Sequence, residues 1–376
     1  NETTSFILRC VRKTIWMLLV LWGITLVSFF VIHLAPGTPT DMQTTLNPLA
    51  GEAARARLEA LYGIDRPLYI QYFDWLSRIV QLDFGNSMSS DARPVIEKIA
   101  ERLPLTIGIN VISLLLTLLI AVPTTAGTGS EVTLAAVITD DETHYKYPIN
   151  DFVLIPRFAV HDPEFTRGLP ASITGQTGMD ALTHAVEAFI GRSTTPYTRR
   201  MARQAVQLIH DNLLEAYECG GNMRARRNML SAAYKAGVAF TRSYVGYVHA
   251  IAHSLGGRYG IPHGLANAII LPHMLRAYGE AAAPKLADLA RMAGIAPANA
   301  LDSLAAEAFI DWVDRMNAAL GIPKYVTGIR RSDIPEMAAH ADAEANPLYP
   351  VPLLMDRLEL EHMYEVVAGG MFEDEN

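Results

Sequence analysis

The sequence predicts a chain of mixed fold class: N-terminal transmembrane helices, a small β section, and a large all-α domain that binds a metal. Three observations carry this. Two long apolar runs sit in the first third of the 376 residues. A Thr/Gly-rich turn after Pro123 opens two β-branched runs. Beyond Glu164 the apolar spacing is helical, with Asp/His and His/His pairs four residues apart. The length leaves room for two or three domains. A net charge of -8 at pH 7 gives no reason to expect a nucleic-acid partner. Two cysteines, Cys10 and Cys219, cannot build a disulfide framework and stand in no metal-type spacing, which suits a reduced, cytosolic setting for most of the chain. Ten of the eleven histidines lie after position 140, so imidazole chemistry belongs to the later part.

The first element is TIWMLLVLWGITLVSFFVIHL at 14–34, 21 residues without an acid or base apart from His33. At 1.5 Å per residue this run is long enough for a hydrocarbon core of roughly 30 Å. Arg9, Arg12 and Lys13 precede it and favour a cytoplasmic N-terminus. A cleaved signal peptide is the rival, but the run is too long for one and no small-residue cleavage site follows. APGTP at 35–39 ends the helix, and a polar segment continues to about Leu103, with helical spacing around 53–61 and 69–80. PLTIGINVISLLLTLLIAV at 104–122 supplies a second span of 19 residues, just long enough. Two spans return the chain to its starting side. Residues 36–103 are then an extracytoplasmic loop, and everything after 122 is expected in the cytoplasm.

After Pro123 the pattern changes. EVTLAAVITD at 131–140 and FVLIPRFAV at 152–160 read as strands. From about Glu164 onward the spacing is helical, broken at Gly220–Gly221, at GIAPANA (294–300) and at NPLYPVP (346–352). The chemistry falls in two clusters. In TGMDALTHAVEA, Asp180 and His184 share a helix face; in VHAIAHSLGGRYGIPHG, His249 and His253 do so, and His263 follows a Gly-rich break. One carboxylate and three imidazoles make a full ligand set for a divalent transition metal. A lone histidine in an apolar helix is ordinarily a satisfied core residue; two such pairs beside a Pro-His-Gly element favour a metal site. His144, His161, His210, His273, His340 and His362 have no comparable pairing and read as surface or core residues, with His273 in ILPHML the nearest exception.

HLAPGTPTD after the first run, LYGIDRPLYIQYFDWLSRIVQLDFGNSM at 61–88 and RPVIEKIAERLPLTIGIN at 93–110 occur in the order and spacing of one known family. Through them, residues 1–122 resemble the N-terminal part of dipeptide/oligopeptide ABC transporter permeases. The resemblance stops near Val122, before that family's later spans and its coupling loop. It therefore implies an inner-membrane anchor with an exported loop rather than a transport path.

The later part carries PTTAGTGSEVT (123–133), GMDALTHAVEAFI (178–190), HAIAHSLGGRYGIPHGLANAIILPH (249–273) and HADAEANPLYPVP (340–352). These motifs resemble the iron-containing (group III) alcohol dehydrogenases over about two thirds of the chain. Position by position, the resemblance implies Asp180, His184, His249 and His263 as ligands of Fe2+, with Zn2+ as the alternative ion. It implies His253 as a proton relay, and Thr124, Thr125, Thr133 and Lys146 as contacts to NAD or NADP. The implied reaction interconverts a small alcohol and its aldehyde by hydride transfer; homo-oligomerisation is left open. The chemistry is coherent, because a divalent ion acts as a Lewis acid toward an alcohol. One aspartate offsets part of its charge, and neutral imidazoles preserve its acidity. His253 can move a proton toward solvent, and the Thr-Gly turn offers N–H groups and hydroxyls to a dinucleotide.

In that family a dinucleotide-binding region precedes the Thr-Gly motif and holds the pyrophosphate on a Gly-Gly-Gly-Ser turn. Before Pro123 this chain has only isolated glycines. The expected division is a permease-like segment at 1–122, a small β remnant of a Rossmann-like dinucleotide-binding domain at 123–163, and a helical iron-binding domain at 164–376. The expected product is a chimera joined at IAVP (120–123), a stretch that fits both parents, with weakened cofactor binding. The initial Asn in place of Met agrees with an incomplete or processed sequence. The competing expectation is a membrane protein of permease descent carrying an inert dehydrogenase passenger, its body in the bacterial inner membrane and the dehydrogenase part in the cytoplasm.

Overall fold

The computed structural model of the chain describes residues 2–34, 66–86, 93–140 and 146–373. It falls into two units, Asn1–Ile112 and Ser113–Asn376. In the first unit, α1 (Glu2–Leu34) packs one face against α2 (Leu68–Val80), whose entry is set by Pro67. Phe29 is buried with its ring edge-on to Tyr72 at 5.4 Å and tilted against Trp75 at 5.7 Å, and the Thr25 and Tyr72 hydroxyls are 3.1 Å apart. The helix α3 (Val95–Leu119) follows, and the division between the units falls inside it. Its first turns carry Glu97 and Glu101, both paired with Arg93. The helical stretch expected around 53–61 lies outside the described residues, as does His144.

Among the described residues, no helix is long and apolar enough to cross a membrane. This corrects the expected N-terminal transmembrane helices at 14–34 and 104–122. The inner-membrane location, the membrane as partner, and the extracytoplasmic assignment of 36–103 fall with them. The helix α1 begins at Glu2 and contains Arg9, Arg12 and Lys13 in its own length, and its Thr25/Phe29 face is occupied by α2. In α3 the uncharged part starts at Pro104 and the helix stops at Leu119. That is about 24 Å of helix, short of the roughly 30 Å of a hydrocarbon core. The chain then enters a strand.

In the second unit, β1 (Ile120–Ala121) pairs in parallel with β4 (Phe158–Ala159), and β2 (Ala135–Thr139) pairs antiparallel with β3 (Lys146–Asn150), Ala135 opposite Asn150 and Thr139 opposite Lys146. The strand expected at 131–140 starts late because Ser130–Val132 forms a 3-10 turn seated on α6 (Met223–Ser243). Gly129 there has φ +59° and a Cβ on it would stand 2.9 Å from the Gly237 Cα, so two glycines let the turn touch the helix. The strand expected at 152–160 shrinks to its last residues. Asp151 accepts the Val153 N–H and opens a 3-10 turn instead, and Pro156 breaks the chain's extended path just beyond that turn.

The remainder is helical: α4 (Ala171–Ile190), α5 (Pro196–Glu218), α6, α7 (Tyr247–Tyr259), α8 (His263–Tyr278), α9 (Ala283–Met292), α10 (Asp302–Ala319), α11 (Ile334–Ala345) and α12 (Arg357–Val367). Buried continuously from Gly178 to Ile190, α4 is apolar or small on nearly every side and packs against α5, α6 and α8. At Gly178 a Cβ would meet Leu213 Cδ1 at 2.2 Å, so this glycine admits α5. The helix α5 starts at a Thr195 capping box with Pro196 at its first position, and α12 at an Asp356–Glu359 box. One continuous apolar cluster fills the space between these helices.

A polar staple closes the far side of α7. Arg258 and Arg330 both donate to Asp333, as does the Tyr259 hydroxyl at 2.8 Å. The Arg258 guanidinium, outweighing burial and helped by Tyr259 and Arg330, holds the Asp333 carboxyl down to about 2. The unfolded carboxyl protonates near its ordinary 3.8, so this stabilisation is complete above that value and is lost as pH falls through about 2. Asp333→Ala should cost about 1–2 kcal/mol in urea unfolding at pH 7, because it removes the buried acceptor shared by Arg258, Tyr259 and Arg330. The penalty should shrink at pH 2, and a pH-independent difference would show that the staple does not act through its charge.

Candidate metal centre

Three elements bring the polar residues of the second unit together. On α4, Asp180, His184 and Glu187 stand at i, i+4 and i+7 and share one face. The helix α7 carries His249 and His253 one turn apart, and α8 begins at His263. The close approach of α8 to α4 depends on Gly264, where a Cβ would lie 2.5 Å from the Gln176 carbonyl oxygen and 3.4 Å from Asp180 Cβ. As a result, one ligand atom each from Asp180, His184, His249 and His263 lies within 4.8 Å of the others. The first three side chains are buried; His263 keeps 33% of its side chain exposed and marks the open side.

Hydrogen bonds fix the rings. His249 Nδ1 lies 2.5 Å from Glu187 Oε2, and the other Glu187 oxygen accepts the Val248 N–H at 2.9 Å. With Nδ1–H donated to that carboxylate, Nε2 presents its lone pair to the cluster. Asn267, one turn after His263, is fully buried; its amide nitrogen donates to Asp180 Oδ1 at 2.7 Å and lies 3.2 Å from His249 Nε2 and 3.1 Å from His263 Nε2. The His184 ring is stacked between Phe240 at 4.2 Å and His249 at 4.5 Å. Its Nδ1 is buried without a hydrogen-bond partner.

Burial lowers His184 and His249 to about 4, against an ordinary 6.5. It also lowers His263, although the edge of that ring meets solvent. For Asp180, burial alone would raise the pKa; the facing imidazoles of His184, His263 and His249 and the Asn267 amide outweigh it, and the carboxyl sits below its usual range. Burial pushes Glu187 up to about 7 against the Gly246 and Val248 N–H bonds that oppose it. The cluster therefore presents three neutral imidazoles and one ionised carboxylate at neutral pH. One imidazole has a nitrogen that no protein group satisfies. This donor set fits a divalent transition ion such as Fe2+ or Zn2+.

The other expected site residues are distributed around this cluster. The His253 ring stacks on His263 at 5.2 Å, and its Nδ1 meets Glu344 Oε1 at 2.8 Å; the Tyr349 hydroxyl donates to the same oxygen at 2.8 Å. Thr124 is exposed and Thr125 half-buried on the Thr-Gly turn, and Thr133 is buried where that segment leaves its 3-10 turn. A Cβ on Gly127 of the same turn would stand 2.7 Å from Thr177 Cβ, so the turn packs on α4 one turn before Asp180. The Lys146 ammonium lies against Gly256 of α7, within 3.0 Å of where a Cβ would be. His273 stays outside the cluster: it contacts the Lys324 carbonyl and stacks on Tyr325. Sequence reasoning missed Glu187, Asn267, Glu344 and Tyr349. The first two stood in helical register with expected ligands, Glu187 three residues after His184 and Asn267 four after His263, and could have been found that way. The last two come from a distant segment and left no such signal.

Comparison with known proteins reveals relatives for each part. Residues 174–367 match the family described as Fe-containing alcohol dehydrogenase, C-terminal, and 110–163 match iron-containing alcohol dehydrogenase. Residues 4–110 match the family described as binding-protein-dependent transport system membrane component, N-terminal. The 1,3-propanediol dehydrogenase of Klebsiella pneumoniae is 44% identical over 244 residues, 64% of this chain and 62% of that protein. The 1-propanol dehydrogenase PduQ of Salmonella typhimurium is 37% identical over 273 residues, 70% of this chain and 71% of that protein. A crystal structure of 1,3-propanediol oxidoreductase superposes with a TM-score of 0.63 at 40% identity, covering 66% of this chain and 65% of that one. The chain thus spans about 62% of the length of the 1,3-propanediol dehydrogenases it matches.

Adding Zn2+ at a hundred times its dissociation constant should stabilise the metal-stripped chain by about 2.7 kcal/mol, read as a rise in thermal midpoint. Asp180→Ala and His249→Ala should abolish the rise. An equal rise in these variants would place the ion elsewhere.

Proposed function

The chain belongs to the iron-containing alcohol dehydrogenase family, and we propose that residues 164–376 form its metal-binding domain, acting in the interconversion of a small alcohol and its aldehyde with NAD or NADP. The convergence of Asp180, His184, His249 and His263 from three helices is the observation that carries this reading. These four would hold Fe2+, or Zn2+ in its place, and the ion when bound supplies Lewis acidity that favours the alkoxide form of the alcohol.

The remaining roles belong to the chain's own groups. Asp180 brings one negative charge, and burial keeps the imidazoles neutral so that they bind as lone-pair donors. With Nδ1 engaged by Glu344, His253 has Nε2 left to take the alcohol proton, and Glu344 and Tyr349 hold its ring in place. We assign Thr124, Thr125, Thr133 and Lys146 to the dinucleotide. The Thr-Gly turn on α4 and Lys146 on α7 support this, since both lie against helices that carry cluster residues. The Klebsiella and Salmonella relatives act on 1,3-propanediol and 1-propanol by their names, which makes short primary alcohols the first substrates to try.

We further propose that the chain is a chimera and that its cofactor binding is impaired. Residues 1–122 form a permease-like segment and 123–163 the remnant of a dinucleotide-binding domain. The transport-type and dehydrogenase-type matches meet at residue 110, close to the IAVP stretch. The strands beyond that stretch leave Val137, Ile138, Ile149 and Phe158 exposed, as expected of a sheet without its usual packing partner.

The chain loaded with Fe2+ should reduce NAD with 1-propanol or 1,3-propanediol far more slowly than the Klebsiella enzyme, and His253→Ala should lower the residual kcat on the order of 100-fold. Turnover equal to the Klebsiella enzyme would remove the impairment. An unchanged His253→Ala variant would remove the proton-transfer role.

A further inference from the structure

A divalent ion held by Asp180 and three neutral imidazoles would keep one uncompensated positive charge in a buried site, and buried charge is costly unless it is paired. The neighbourhood of His249 supplies the missing anion. Glu187 and His249 are each only 3% exposed, and Glu187 Oε2 lies 2.5 Å from the ring nitrogen that faces away from the cluster. The opposite oxygen is fixed by the Val248 N–H. Gly246 makes room for this carboxylate: a Cβ there would stand 2.7 Å from Glu187 Oε1. The carboxylate therefore has no freedom to swing into the cluster as a further ligand.

We propose that Glu187 is the second anion of the metal centre, a positioning residue that neutralises the ion through the His249 imidazole and fixes Nε2 as the metal-binding nitrogen. This rests on the proposed metal site at Asp180, His184, His249 and His263. With Glu187 ionised beside the His249 N–H, Asp180 and Glu187 would sum to the charge of a divalent ion, one by direct contact and one through a ring. Such outer carboxylates raise the basicity of a metal-bound imidazole and hold its orientation. The geometry also distinguishes this role from helix capping alone. In Glu187→Gln the oxygen can still accept the Val248 N–H, so the cap survives. The amide NH2 then faces His249 Nδ1 as a donor, which shifts the ring proton to Nε2 and removes the metal-binding lone pair.

The test uses the full chain stripped of metal and titrated with Co2+, whose visible absorption reports coordination directly. Wild type should bind one ion, and Glu187→Gln should bind about 10–100-fold more weakly, with an altered spectrum and little change in the thermal midpoint of the metal-free protein. Glu187→Asp, which keeps the charge but retracts it, should lie between the two and serves alone if Glu187→Gln does not fold. Wild type that binds no Co2+ would overturn the metal reading and this inference with it. Wild type that binds, with a variant of equal affinity and spectrum, would overturn only the role of Glu187.

Discussion

The helical unit is organised around a polar cluster placed where an apolar core would otherwise continue. Asp180, His184 and Glu187 point from one face of α4, a helix whose remaining faces are packed against apolar or small side chains. Burying a carboxylate and several imidazoles is unfavourable unless every polar atom finds a partner. That condition dictates what surrounds them. His249 is bonded to Glu187, Asn267 spans Asp180 and two rings, and His253 is bonded to Glu344. His184 Nδ1 and Asn267 Oδ1 are the two atoms this network leaves buried without a hydrogen-bond partner. A cation bound among the four donor atoms would relieve their mutual crowding.

Close packing is what makes the cluster geometrically available. Gly264 lets the start of α8 press on α4, Gly178 lets α5 do the same from behind, and Gly127 and Gly129 let the Thr-Gly turn lie on α4 and α6. A methyl group at any of them would press on a neighbouring element within 3 Å. The geometry of the cluster therefore depends on small residues at helix crossings as much as on the histidines. The helix α4 is the common element, since it carries Asp180 and His184 of the cluster and the carboxylate behind His249, and receives the Thr-Gly turn.

The second unit has two parts of different character. The helical part closes on a continuous core with capped helices and a polar staple at Asp333. The strand section before it is made of two-stranded ladders with apolar residues on the surface. A two-stranded ladder contributes little stability by itself. The 3-10 turn at Ser130–Val132 is better anchored than the ladders, because Gly129 and Gly237 bring it onto α6 and the Thr241 hydroxyl bonds the Val132 carbonyl.

Local sequence by itself determined the helical character after Glu164, the breaks at Gly220–Gly221 and near Pro347, and the pairing of Asp180 with His184 and of His249 with His253. Each depends only on helical periodicity or on backbone chemistry within a few residues. It misjudged 152–160, where Asp151 and Pro156 override β-branched composition. It also misjudged the two apolar runs as membrane spans, because hydropathy alone does not show where α3 stops or that α2 covers one face of α1. Only the tertiary structure decided that α4, α7 and α8 bring four donor atoms within 4.8 Å, that Glu187 and Glu344 lie behind two of the imidazoles, and that His273 does not join them. The contacts to Glu187, Glu344 and Lys324 span 62, 91 and 51 residues of sequence, and their geometry is set by side-chain volume at the helix crossings and not by any local pattern.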